Sequence, residues 1–140
     1  MKLFSFALLS SLALAAPFKT LSKSRPSPAL TWYVTDFNVP NSQGSTAPQY
    51  NFYIAGIATK NTPGFNTTCT GTTGGGDKYA PCQDQQVRAI VAPHGPKQWD
   101  VEVQHGWTKD AAEFWAVGDA NVTAPAKSFT IKVDEQYGVA

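Results

Sequence analysis

From Leu30 onward the chain alternates with a period of two. LTWYVTDFNV sets Trp32 and Val34 on one face and Tyr33, Thr35, Phe37 and Val39 on the other. Both faces are partly apolar, which predicts a strand covered on two sides. Residues 40–44 read as a loop. QYNFYIAGIAT alternates Phe52 and Ile54 with Tyr53, Ala55 and Ile57, and Gly56 predicts a bulge or a close approach. FNTTCT is a short polar strand, followed by a Gly-rich loop. QQVRAIVA sets Val87, Ala89 and Val91 on one face, and PHGPKQ is a loop fixed by Pro93 and Pro96. WDVEVQHGW is the cleanest strand, with Trp99, Val101, Val103 and His105 opposite Asp100, Glu102 and Gln104. Further strands surround Phe114–Val117 and SFTIKVD, where Phe129, Ile131 and Val133 point inward. No segment has helical periodicity. About seven strands predict an all-β fold, a compact antiparallel β-barrel or β-sandwich.

The residues ahead of this pattern set the expected compartment. Met1-Lys2 is a short positive start, residues 3–16 are almost wholly apolar or small, and Ala13-Leu14-Ala15 has the small-x-small form of a signal peptidase site. The apolar run falls short of the roughly 20 residues a membrane-spanning helix needs. Residues 1–15 therefore read as a signal peptide, residues 16–29 as a disordered leader rich in Ser, Lys and Pro, and residues 30–140 as a single β domain. A secreted, extracellular protein with no membrane span is expected. Loss of Lys2 leaves ten Lys and Arg against ten Asp and Glu. With no basic run to neutralise phosphates, a nucleic acid partner is not expected.

Cys69 and Cys82 are the only two cysteines. In an oxidising compartment such a pair reads as a disulfide, closing a loop of about 14 residues and contributing roughly 3 kcal/mol. The rival reading is a catalytic thiol, but neither cysteine has a histidine near it in sequence. The enclosed segment is Gly-rich, so the expectation is that the bridge limits a local loop and does not tie distant strands.

Few residues suggest chemistry. His94, His105, Glu102 and Arg88 are the residue types of a small secreted ribonuclease, which needs an acid, a base and a cation for the phosphate. Glu102 and His105, three apart on a strand, point to opposite faces, and His105 shares its face with apolar neighbours. The chain has no HxH, HExxH or cysteine cluster. Asp134-Glu135 would join Asp77 and Asp84 only if folding brought them together. Gly74-Gly75-Gly76 has no following Lys-Ser/Thr, so it is no phosphate loop. No catalytic residue, metal or cofactor is expected. Asn66-Thr67-Thr68 and Asn121-Val122-Thr123 are N-glycosylation sequons, or else ordinary polar loop residues. The chain has four tryptophans and five tyrosines. Trp107, beside Gly106, reads as lying near a turn and exposed. Together with Tyr79 and His94 it forms the expected binding surface.

The order of these pieces resembles a known family. Trp32-Tyr33-Val34-Thr35-Asp36-Phe37, then Tyr50-Asn51-Phe52-Tyr53-Ile54, then Asn66-Thr67-Thr68-Cys69 and a Gly/Lys/Tyr loop closing at Cys82 precede paired strands around Val87 and Trp99. This is similar to the small secreted fungal proteins typified by the major allergen of Alternaria, and to hypersensitive-response elicitors of plant-pathogenic fungi. The likeness spans about residues 30–140. It implies a compact β-barrel or β-sandwich without enzyme activity that triggers plant cell death and defence through an apoplastic or cell-surface plant protein. The Cys69–Cys82 pair fits the family's first internal disulfide. The chain lacks the cysteines of the second bridge and of the dimer link, so a monomer is expected. The alternatives are a secreted module binding a small ligand or glycan, and a small secreted hydrolase or ribonuclease.

Overall fold

The structure, a computed structural model, describes residues 21–24, 30–40, 48–74 and 78–139. Nine antiparallel strands form one sheet: β1 (Leu21–Ser24), β2 (Thr31–Asn38), β3 (Gln49–Gly56), β4 (Phe65–Thr72), β5 (Ala80–Pro81), β6 (Val87–Gly95), β7 (Gln98–Lys109), β8 (Ala112–Thr123) and β9 (Phe129–Val139). Their order is β4-β3-β2-β9-β8-β7-β6-β5, with β1 also on β9. Two meanders, β2–β4 and β6–β9, are thus joined by the pairing of β2 with β9. The sheet curls into a nearly closed barrel. The seven strands legible from the alternation are all present, and the additions are β1 and β5. Leu21–Ser24, inside the expected leader, is paired with residues 136–139 and is not free chain. The expected signal peptide and the rest of the leader lie outside the described residues.

One gap interrupts the ring, between β4 and β5 at the two ends of the strand order. The disulfide lies across it. Cys69 is on β4, Cys82 follows β5 directly, and their Cα atoms are 4.2 Å apart. The Gln83 amide donates to the Thr68 carbonyl at 2.9 Å, and the Asp84 amide to Thr67 Oγ1 at 2.8 Å. The expectation that the bridge merely limits a loop is therefore corrected. The residues are near in sequence, but they stand on the two terminal strands of the sheet, so the bridge closes the barrel.

β2 departs from the two-sided strand its sequence predicted. Trp32 and Val34 are buried, whereas Tyr33 and Thr35 are exposed. Thr35 pairs with Tyr53 but Asn38 with Asn51, so β2 carries one extra residue there. Asp36 absorbs it at φ 56°, in the left-handed region that Asp tolerates better than most residues. A single inserted residue reverses the face of everything after it. Phe37 accordingly turns inward, packing edge-on against Phe129 at 5.3 Å and tilted against Phe52 at 6.0 Å between ring centres.

The other strands bury one face cleanly. Val87, Ala89 and Val91 on β6, Val101 and Val103 on β7, and Ile131 and Val133 on β9 line the interior. The β6–β7 connection is shorter than the loop its prolines predicted. β6 continues to Gly95 and only two residues separate it from β7. Pro93 lies beyond the part of β6 that pairs with β5. Its missing N–H costs nothing on that free edge. At Gly56 the expected close approach is present, since a Cβ there would meet Trp32 Cδ1 at 2.8 Å and Phe65 Cε1 at 2.7 Å.

Candidate functional site

The alternation that begins at Trp99 continues unbroken to Trp107. Val101, Val103, His105 and Trp107 are all buried. Trp107 stacks on Phe114 with ring centres 5.8 Å apart and lies 5.2 Å from His105. It is a core residue at 8% exposure, and its expected place on a binding surface is corrected. The glycine that suggested a turn serves another purpose. Gly106 pairs with Trp115, and a Cβ on it would lie 2.3 Å from the Trp115 ring. Gly106 makes room for that indole on the outer face.

An aromatic and cationic cluster follows on this outer face. Arg88, opposite Gln104 on the neighbouring strand, extends its guanidinium over the Trp115 ring at 4.7 Å and toward Tyr79 at 5.9 Å. β6 and β8 are separated by β7, so the two side chains meet across the position where Gly106 has none. Tyr79 Oη donates to Glu102 Oε2. Burial, then the bond to Glu102 and its negative charge, push the Tyr79 hydroxyl well above the usual phenol range, with Arg88 opposing. Gln104 Nε2 donates to Tyr137 Oη at 3.4 Å, extending the cluster to β9. Cations held over aromatic faces are energetically significant contacts. Tyr79 is half-buried here, so of the three expected surface residues it alone joins this group.

His94 is exposed near the β6–β7 turn. Its Nδ1 lies 2.9 Å from Asp100 Oδ2, and Asn121 Nδ2 donates to Asp100 Oδ1 at 2.8 Å. Asp100 and Glu102 continue into Asp119 and Asp134, forming an acidic strip on the outer face of β7–β9. The Asp119 carboxyl is pushed upward by burial, by its hydrogen bond and proximity to Asp134, and by the charges of Glu102 and Asp100. Among the described residues no group of His, Cys, Asp and Glu is disposed to hold a metal ion. Asp77 lies outside them.

The residues considered for catalysis do not meet in one cleft. His105 is inside the barrel at 2% exposure, wedged between Phe65, Trp107 and Trp32 at 4.3, 5.2 and 6.5 Å. Its Nδ1 has no hydrogen-bond partner. Burial lowers its pKa to about 4, against a weaker opposing pull from Asp84. Glu102 is on the opposite side of the same strand, engaged with Tyr79.

A cleft the sequence reading missed opens at one end of the barrel. Val39, Pro40, Pro48, Lys97, Trp99, Ala124 and Pro125 enclose about 470 Å³. It forms where the end of β2, the start of β3, the β6–β7 turn and the β8–β9 connection converge. Its only sequence signal is proline and tryptophan at strand ends, too diffuse to identify a site before the topology is known.

Comparison with protein-family models, curated proteins and solved structures gives no match. Among the described residues no helix is long and apolar enough to cross a membrane.

Proposed function

We propose that the protein is a secreted, non-enzymatic elicitor that triggers plant cell death and defence by engaging an apoplastic or cell-surface plant protein. The motif order described above motivates the reading, and the Arg88–Trp115–Tyr79 cluster carries it on the molecule. Trp, Tyr and Arg are the residues that dominate protein–protein contacts. Here they are fixed by a rigid sheet, by Gly106 below and by the Tyr79–Glu102 hydrogen bond at the side. Preorganised anchors bind with less loss of side-chain freedom. The test is infiltration of the purified, folded protein into leaves alongside Arg88→Ala and Trp115→Ala. Cell death with wild type, and a weaker response with variants of unchanged circular dichroism, is the expected result. Folded wild type that gives no response at all would overturn the proposal.

The barrel-end cleft favours a second reading, a module for a small apolar ligand. Its prolines and Trp99 offer apolar walls and Lys97 a single cation. Titrating Trp99 fluorescence against a ligand panel distinguishes the two, since Trp99→Phe would abolish the response only if the cleft is occupied.

A further inference from the structure

The barrel has two chemically different outer surfaces. Charges gather on β6–β9, whereas the outward residues of β2, β3 and β4 are Thr, Tyr, Asn, Gln or Ala, with one exception, Asp36 at the bulge. Within this neutral face Tyr33 and Tyr53 are 48% and 38% exposed. They are diagonal neighbours, Tyr33 standing opposite Ala55 and Tyr53 opposite Thr35. On the next strand Asn66 stands opposite Ala55, and Thr68 opposite Tyr53. Asn66, Ala55 and Tyr33 therefore form one row across three strands. At the usual strand spacing the row places Tyr33 roughly 10 Å from Asn66, with only a methyl group between them.

Asn66 is the first residue of the sequon Asn66-Thr67-Thr68, and its side chain is exposed on this face. We propose that Asn66 is N-glycosylated and that the first sugars of the glycan lie over Ala55 against the Tyr33 and Tyr53 rings. The chemistry of the face matches that occupant. Aromatic faces take the C–H side of a pyranose, neighbouring threonine and asparagine groups take its hydroxyls, and a neutral glycan meets no unpaired charge. In the transfer, Asn66 Nδ2 bonds the anomeric carbon of a lipid-pyrophosphate oligosaccharide. The carbon–oxygen bond to the pyrophosphate breaks, and one amide proton is lost as that group leaves. The second sequon lies in a different setting, because the Asn121 amide is held by Asp100 within the charged half of the barrel.

The inference rests on the export reading, so the experiment separates the two. The protein is expressed in a eukaryotic secretory host, once with its own first 15 residues and once with a heterologous signal peptide. Retention in the cell with the native leader alone would count against export and leave the Asn66 test intact. From the second form, enzymatic deglycosylation in ¹⁸O-water followed by peptide mass spectrometry should mark Asn66. Asn66→Gln and Thr68→Ala should each remove that mark, and Asn121→Gln should leave it. Tyr33→Ala should lower the melting temperature of the glycosylated protein by about 4 °C more than that of the deglycosylated protein. An unmodified Asn66 overturns the proposal, and so does an equal effect of Tyr33→Ala on both forms.

Discussion

His105 offers the sharpest test of how the interior is built. Its imidazole is enclosed by Phe65, Trp107 and Trp32, and its Nδ1 is unpartnered. Charging it there would strip a cation of water with only Asp84 in partial compensation, so the pKa falls from 6.5 to about 4. Well above pH 6.5 the residue is neutral in both folded and unfolded chains, and its titration makes no contribution to stability. As pH drops below 6.5 the unfolded chain takes up a proton that the folded one refuses. Stability is therefore lost between pH 6.5 and about 4, and the loss then levels off. A gap of this size corresponds to about 3 kcal/mol. The assay is urea unfolding at pH 7, 5.5 and 4.5, followed by tryptophan fluorescence, for wild type, His105→Phe and His105→Leu. Carboxylate protonation is common to all three proteins, so the differences isolate His105. Wild type should lose about 2 kcal/mol more than either variant across this range, the remainder being lost only below pH 4.5. Parallel pH dependence in the three proteins would show that His105 is not held neutral by burial.

Three further outcomes follow from the fold. Reduction of Cys69–Cys82 should cost roughly 3 kcal/mol, and amide hydrogen exchange should accelerate first at Gln83 and Asp84, whose bonds span the gap beside it. Uniform acceleration over the whole barrel would contradict a local role in closure. Gly106→Ala should displace the Trp115 ring, costing about 1–3 kcal/mol and separating Arg88 from its aromatic partner, which near-ultraviolet circular dichroism of the tryptophans would register. Asp36→Val forces a β-branched residue into the left-handed region at φ 56°, which should cost about 1–2 kcal/mol and loosen Phe37. Thermal melts that match wild type would show that the bulge relaxes without strain.

Alternation was enough to recover seven strands and the inward set on β6, β7 and β9, because each of these buries one face against a single core. It failed where one residue changed the count. Nothing in the order Thr35-Asp36-Phe37 declares a bulge, so Phe37 read as lying on the face opposite Trp32 and Val34, in a strand covered on both sides, until its pairing with β3 was known. At Trp107 the signal was present and was overridden, since the odd positions from Trp99 already placed it inside and the glycine suggested a turn. The Arg88–Trp115 contact was half legible. Val87 and Ala89 point inward, which leaves Arg88 outward, and Ala116 and Gly118 do the same for Trp115. What no sequence pattern supplied was that β6 and β8 flank a common strand with a glycine between them. The role of the disulfide was obscured for the same reason. Thirteen residues of sequence separation look local until Cys69 and Cys82 are placed on opposite ends of the strand order.

The closure also explains why the neutral face needs protection. A ring sealed by a covalent bridge and two hydrogen bonds still leaves part of β4 as an edge, and past Thr67 toward Phe65 no described strand pairs with its free side. An uncharged open edge is a template for pairing with another chain. Natural barrels and sheets blunt such edges with charge, proline, bulges or cover. Charge is nearly absent here, and the one bulge of this region, at Asp36, lies two strands away. A glycan on Asn66 would stand at the exposed end of this edge. The same substitution that removes the sugar, Asn66→Gln, should therefore raise the tendency of the protein to self-associate at high concentration. Light scattering of the variant and wild type, matched for folded fraction, measures this directly. Equal scattering would mean that the edge is guarded by the twist of the barrel alone.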